Sequence, residues 1–114
     1  MLPKENRLTK KRDFEKVLKR GKGFKQKTLF LKTVENNLPQ SRFGIIVSKK
    51  TAKKATDRNK IKRQIREILR KKLNKIKKGY DLVLVVWPFL KEKSYQEKLS
   101  IIEESLQKIN FLEK

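Results

Sequence analysis

Lys54-Ala55-Thr56-Asp57-Arg58-Asn59-Lys60-Ile61-Lys62-Arg63-Gln64-Ile65-Arg66-Glu67 is the stretch on which the fold turns. It reads as the first half of a helix running from about Asp57 to Ile76, stopped by Lys77-Lys78-Gly79. Two strand-like runs bracket it. Arg42 to Ser48 contains Ile45-Ile46-Val47, and Tyr80 to Trp87 contains Leu82-Val83-Leu84-Val85-Val86. Both are too continuously apolar for strands with one face in water, so both are expected to be central in a sheet. Strands joined through a helix form a parallel crossover unit.

Outward from this unit, Thr9 is placed to cap a helix that runs to about Arg20, with Phe14, Val17 and Leu18 on one face. Gly21 is expected to end it in a left-handed conformation. Residues Met1 to Leu8 read as extended. Phe24 begins a short strand, and Thr28 to Glu35 is a firmer one in which Leu29, Leu31 and Thr33 alternate with Phe30, Lys32 and Val34. Asn36 to Ser41 is a loop, and Pro88 ends the last strand. Ser94-Tyr95-Gln96-Glu97 matches a capping box before a closing helix with Leu99, Ile102, Leu106 and Ile109 on one face. The order is helix, two or three strands, helix, strand, helix, a small α+β sandwich in one domain, 1–114.

The 114 residues include 33 Lys plus Arg against 12 Asp plus Glu, a net charge of +21. Such an excess strains a folded chain by self-repulsion and attracts polyanions. The basic residues are interleaved with apolar periodicity, so they belong to folded elements and not to an unfolded tail. A nucleic acid is the partner this balance favours, over a membrane surface or an acidic protein. The chain has no Cys and no His, which removes disulfides, thiolate chemistry, Cys/His zinc sites and histidine acid–base catalysis. No run approaches a membrane span and the first residues lack the apolar core of a signal peptide, so a cytoplasmic protein is expected.

Helical residues advance about 100° each. On the basic helix, Ile61, Ile65, Ile68, Leu69 and Ile76 share an arc that can face a sheet, and Asn59, Lys62, Arg63, Arg66 and Arg70 share the neighbouring arc. The second arc is a candidate RNA contact. Its side chains are partly preordered, which reduces the entropy lost on binding, and guanidinium forks suit phosphate oxygens. Arg58 and Asn59 are expected in the first helical turn, where the macrodipole favours an anion, so a cation there points to an anionic ligand. The plainer alternative is a solvated face with Glu67 compensating a nearby Arg.

Arg58-Asn59, Lys62-Arg63 and Arg66-Glu67, preceded by Lys54-Ala55, closely resemble the signature of the protein subunit of bacterial ribonuclease P. Arg7-Leu8, Asp13-Phe14, Val17 and Gly21 are similar to that family's first helix, Phe43-Gly44 and Val47-Ser48-Lys49-Lys50 to the strand leading into its basic loop, and Tyr80-Asp81-Leu82-Val83 to its last strand. The resemblance implies an α-β-β-β-α-β-α sandwich of the ribosomal-protein-like α+β type. Its mixed sheet would have about four strands, and its βαβ crossover would be left-handed where general rules favour the right hand.

It also implies the small partner of a catalytic RNA that removes the 5′ leader of precursor tRNA, the metal-dependent chemistry residing in the RNA. No catalytic residue would lie in the protein, no cofactor would be bound by it, and Mg2+ would serve the holoenzyme. The protein would be a monomer in a 1:1 complex with the RNA. By position, Arg58, Asn59, Lys62, Arg63 and Arg66 would face the catalytic RNA, with Lys49, Lys50, Lys53 and Lys54 nearby. Phe14, Phe30 and Lys32 would line a leader-binding groove between the first helix and the sheet. Phe14 can equally be a core residue beside Val17, and Phe30 a packing residue; Phe24, Phe43 and Phe89 read as packing residues.

Four features depart from the pattern: a loop one residue longer between Lys50 and Arg58, no glycine near Ala52 or Lys53, Trp87 where a basic residue is common, and Lys32 where an aromatic is common. A basic ribosomal protein or general RNA chaperone would use the same charge without needing this stripe. A protein-only nuclease would need clustered carboxylates, and the acids here are scattered.

Overall fold

The computed structural model describes residues 2–112. The elements are α1 (Lys11–Arg20), β1 (Lys22–Lys25), β2 (Leu29–Glu35), β3 (Arg42–Val47), α2 (Ala55–Lys71), β4 (Tyr80–Val86), α3 (Pro88–Lys91) and α4 (Tyr95–Lys108), with 3-10 turns at Lys4–Asn6 and Leu73–Lys75. The strands form one mixed sheet in the order β1-β2-β4-β3, in which only β3 and β4 run parallel. Three layers result. The β4 residues Leu82, Leu84 and Val86 point to a core shared with Ile61, Ile65, Ile68 and Leu69 of α2 and Ile102 and Leu106 of α4. Val83 points the other way, to Leu8 and Val17, with Phe14, Leu18, Val34, Ile46 and Val85 around them.

The hand of the crossover follows from one residue. Phe43 turns its side chain into the α2 core, and its carbonyl accepts a hydrogen bond from the Leu8 amide at 2.9 Å, on the side away from β4. For an L-residue in a strand running upward with its side chain toward the viewer, the N–H and C=O point right. Seen from α2, the N-terminal segment therefore lies to the right of β3 and β4 to its left. A helix in front of the sheet with the next strand on the left is a left-handed crossover, contrary to the general preference.

Several local expectations change. β3 is an edge strand, not a central one. Its apolar character comes from cover on both faces, α2 on one and α1 on the other, and Arg7 bridges its outer edge at Phe43. The segment before α1 is not simply extended: Leu2 is buried in the α2 core and Asn6 Nδ2 donates to the Ser41 carbonyl at 2.8 Å. Met1 lies outside the described residues.

Thr9 does not cap α1; Lys10 occupies that position without a side-chain hydrogen bond. Gly21 is not left-handed, with φ −71°. It is a glycine for want of space, since a Cβ there would lie 2.5 Å from the Val17 carbonyl oxygen and 2.9 Å from that of Thr33. The basic helix begins two residues earlier than expected and ends at Lys71, so Ile76 reaches the core from beyond the following 3-10 turn. Phe89, expected to pack, is 62% exposed. The capping box at Ser94 is present in both its hydrogen bonds.

Candidate nucleic-acid interface

The basic loop after β3 alternates anchors with lysines. Thr51 and Ala52 are buried, while Lys49, Lys50, Lys53 and Lys54 are exposed. Thr51 Oγ1 donates to the Val86 carbonyl at 3.1 Å, and the amides of Thr51 and Ala52 both donate to the Ser48 carbonyl at 3.1 Å. None of the loop residues adopts a positive φ, so the missing glycine costs the loop nothing. Arg58 closes the structure: its Nη1 donates to the carbonyls of Ala52 at 3.0 Å and Lys53 at 2.7 Å. The cation near the helix start is thus accounted for within the chain, which removes the inference that it must meet an anion. Because α2 starts at Ala55, Arg58 is its fourth residue.

Along α2, Ile61, Ile65, Ile68 and Leu69 are buried. Burial of each such side chain contributes roughly 1.5–3 kcal/mol, enough to hold the helix flat on the sheet against the repulsion of its own charge. The neighbouring arc is then fixed in space. Asn59 and Arg63 are exposed, Lys62 and Arg66 half-buried. Among the described residues none of these four side chains has a hydrogen-bond or ion-pair partner in the chain. Arg70 differs. Its guanidinium grips Glu67 through contacts of 2.5–3.2 Å, which holds the Glu67 carboxyl down at about 2, well below the usual carboxylate range. The compensation by Glu67 therefore applies to Arg70, not to the stripe as a whole.

The second surface lies across the sheet, beside α1. The edge of the Phe14 ring packs against Gly44, where an added Cβ would fall 2.4 Å from two of its ring atoms. The ring is half-buried, one side in the small α1 core. Further along the face, Phe30 and Trp87 stack with centroids 6.4 Å apart and planes 6° from parallel. The Nζ atoms of Lys25 and Lys32 sit over Phe30 at 5.6 and 5.5 Å. Lys32 also donates to the Leu18 carbonyl at 2.5 Å, satisfying one of the last carbonyls of α1 at the negative end of its dipole.

Phe14, Phe30 and Lys32 therefore share one sheet face, as expected. Trp87 and Lys25 belong to the same aromatic group and were not anticipated. The signal lay in the register: Leu29 pairs with Val86, so Phe30 and Trp87 are diagonal neighbours on one face.

The wall formed by α1 is tied down by charge. Arg42 donates to both oxygens of the buried Asp81 at 2.8 and 2.6 Å and reaches Asp13 of α1 at 3.5 Å. Asn36 adds a bond to Asp81 at 2.8 Å. The Asp81 hydrogen bond raises the Arg42 pKa, so the guanidinium is firmly charged. Other acids are occupied too, Glu103 by Lys72 at 3.1 Å and Glu97 by the α4 cap. Among the described residues no group of three or more Asp, Glu, His or Cys could hold a metal ion.

A basic helix stripe thus lies on one side of the sheet and an aromatic group on the other. The family model for ribonuclease P matches residues 2–110. A ribonuclease P protein component of Pseudanabaena is 38% identical, covering 98% of this chain and 97% of the relative, and one of Clostridium botulinum is 40% identical, covering 97% and 95%. The fold also matches the Staphylococcus aureus RNase P protein, with a TM-score of 0.87 at 28% identity over 94% of this chain and 97% of that one. The Thermotoga maritima RNase P protein gives 0.75 at 35% identity over 90% and 93%. On sequence, on fold and over nearly its whole length, the chain belongs to the ribonuclease P protein family.

Proposed function

We propose that the loop and stripe hold the catalytic RNA and that the aromatic cleft holds the 5′ leader of precursor tRNA, the whole chain acting as one RNA-binding domain. Membership of the family makes the chain a protein component of ribonuclease P, partnered with the ribonuclease P RNA and precursor tRNA. The observation that carries the division of labour is the contrast in unused groups. Lys49, Lys50, Lys53, Lys54, Asn59, Lys62, Arg63 and Arg66 have no side-chain partners among the described residues and are seated on a rigid helix and a pinned loop. Such groups suit a fixed array of backbone phosphates. Arg58 supports them from behind, and Arg70 joins only by leaving Glu67.

Phe30, Trp87 and Phe14 instead offer aromatic faces, on which bases stack for about 1–3 kcal/mol each with little sequence demand. That tolerance suits a leader whose sequence varies. Among the described residues no cluster of acids is placed to seat a divalent ion, and Asp13 and Asp81 are held by Arg42. In this reading Mg2+ belongs to the RNA and its substrate, and hydrolysis of the phosphodiester takes place there. The complex is one protein to one RNA, in the cytoplasm where precursor tRNA is processed.

The test is reconstitution with a bacterial ribonuclease P RNA at low magnesium. The protein should restore accurate cleavage of precursor tRNA and should favour substrate with a leader over mature tRNA. Equal stimulation of unrelated RNA folding, with no gain in cleavage, would make it a general chaperone. Cleavage by the protein without RNA would move the chemistry into the polypeptide.

A further inference from the structure

We propose that the cavity between α2 and α4, walled by Lys98, Lys60 and Gln64, is a seat for a phosphate group. The cavity has a volume of about 400 Å³ and lies on the α4 side of α2, away from the stripe and across the sheet from the aromatic cleft. Lys91 and Lys93, on the chain entering α4, complete its basic rim, with Ser94 and Tyr95 beside them.

Lys98 is the unusual member. It is only 5% exposed, on the inward face of α4. Its ammonium donates to the neutral Gln64 Oε1 at 2.8 Å, and among the described residues it has no carboxylate partner. Asp57 is on the cavity wall but forms no ion pair with Lys98 or Lys60. A buried charge is ordinarily paired, and an apolar side chain would fill the same place without a desolvation cost. Burial and the nearby Lys60 both push the Lys98 pKa below the usual lysine value, so the site disfavours its own cation as it stands. An oxyanion entering between Lys98 and Lys60 reverses both effects. Gln64 fixes the ammonium by its carbonyl oxygen, leaving two N–H donors for the incoming group.

The phosphate can come from the backbone of the catalytic RNA or from a free phosphate compound. The first source rests on the RNA-binding reading above; the second does not. The test uses the full chain, wild type and Lys98→Met, titrated with inorganic phosphate at constant ionic strength, with the Gln64 side-chain amide followed by NMR. In the wild type this signal should shift and saturate. In Lys98→Met, which keeps an unbranched stem of similar length, the apparent affinity at that signal should fall roughly tenfold or more. The Tm without phosphate should rise.

Lys60→Ala, at an exposed position, guards against misfolding and should weaken the same shift. No saturable shift in the wild type, or an unchanged one in both variants, overturns the proposal. Binding to the catalytic RNA then separates the sources. If the occupant is an RNA phosphate, the slope of log K against log[salt] should drop by about 0.7–0.9 in Lys98→Met. If it is a free phosphate compound, the slope stays and only the Gln64 response is lost. Failure of the RNA reading itself has a different signature: the wild type would not bind the RNA at all, while Gln64 still responds to phosphate.

Discussion

The stripe on α2 and the cleft beside α1 lie on opposite faces of one sheet, and they are held in place by different forces. The stripe is rigid because the back of its helix is buried: Ile65, Ile68 and Leu69 are fully enclosed. Its cations carry no structural duty, Arg58 and Arg70 excepted. The cleft is positioned by polar ties, Arg42 to Asp81 and Asp13, and Lys32 to the end of α1. Its functional groups are partly structural themselves. A charged surface can be spent entirely on a ligand when the apolar core beneath does the holding; a surface made of the core's own margin cannot.

The largest effect should come from the ties of the cleft. Asp81→Ala leaves Arg42 without its main partner, and breaking such a partly buried, doubly hydrogen-bonded pair costs about 3 kcal/mol. Thermal or urea unfolding should report a loss of that order. Leader discrimination should suffer in the fraction that remains folded, while the salt slope of RNA binding should not. A stability loss below 1 kcal/mol would mean that apolar contacts alone seat α1.

Next comes the stripe. Lys62→Ala, Arg63→Ala and Arg66→Ala combined should weaken binding to the catalytic RNA roughly 100-fold at low salt and reduce the log K against log[salt] slope by about 2–3. The Tm should stay the same or rise, since repulsion is relieved. Filter binding across a salt series checks both.

Trp87→Ala should cost about 1–3 kcal/mol in affinity for substrate bearing a leader, with mature tRNA nearly unaffected. Equal losses on both substrates would make the Phe30–Trp87 stack a packing feature. The smallest effect concerns Glu67. Its folded-state pKa of about 2 is below the usual 4.5, so the stabilisation from its pairing is present above about 4.5 and is lost as pH falls toward 2. A carboxyl titration by NMR should place Glu67 lowest among the surface glutamates. Glu67→Gln should release Arg70 to the stripe and tighten RNA binding a few-fold near neutral pH, roughly one further phosphate contact.

Much of this was legible along the chain. The periodicity of Ile61, Ile65, Ile68 and Leu69 established which side of α2 is buried, and therefore which side is offered to a ligand. Alternation in β2 put Phe30 and Lys32 together. Elements with a local cause were found for that cause, such as the capping box at Ser94. The misreadings share a different origin. A cation near the start of α2 suggests an anionic ligand because its partners in the chain, the carbonyls of Ala52 and Lys53, are visible only once the loop is folded. Gly21 reads along the chain as a left-handed stop, while its real constraint is crowding by the carbonyls of Val17 and Thr33. Continuous hydrophobicity in β3 implied neighbours on both sides, yet it reports cover on both faces.

The amino-acid sequence by itself determined the layers, the charged arc and the family, because side-chain period and spacing are properties of consecutive residues. Tertiary structure alone decided the edge position of β3, the meeting of Phe30 with Trp87 and the enclosure of Lys98 beside Lys60, and it supplied the physical ground for the left-handed crossover that the family resemblance implies. Each depends on which distant segment arrives at a given edge or face. A residue's period records only whether it is covered, not by what.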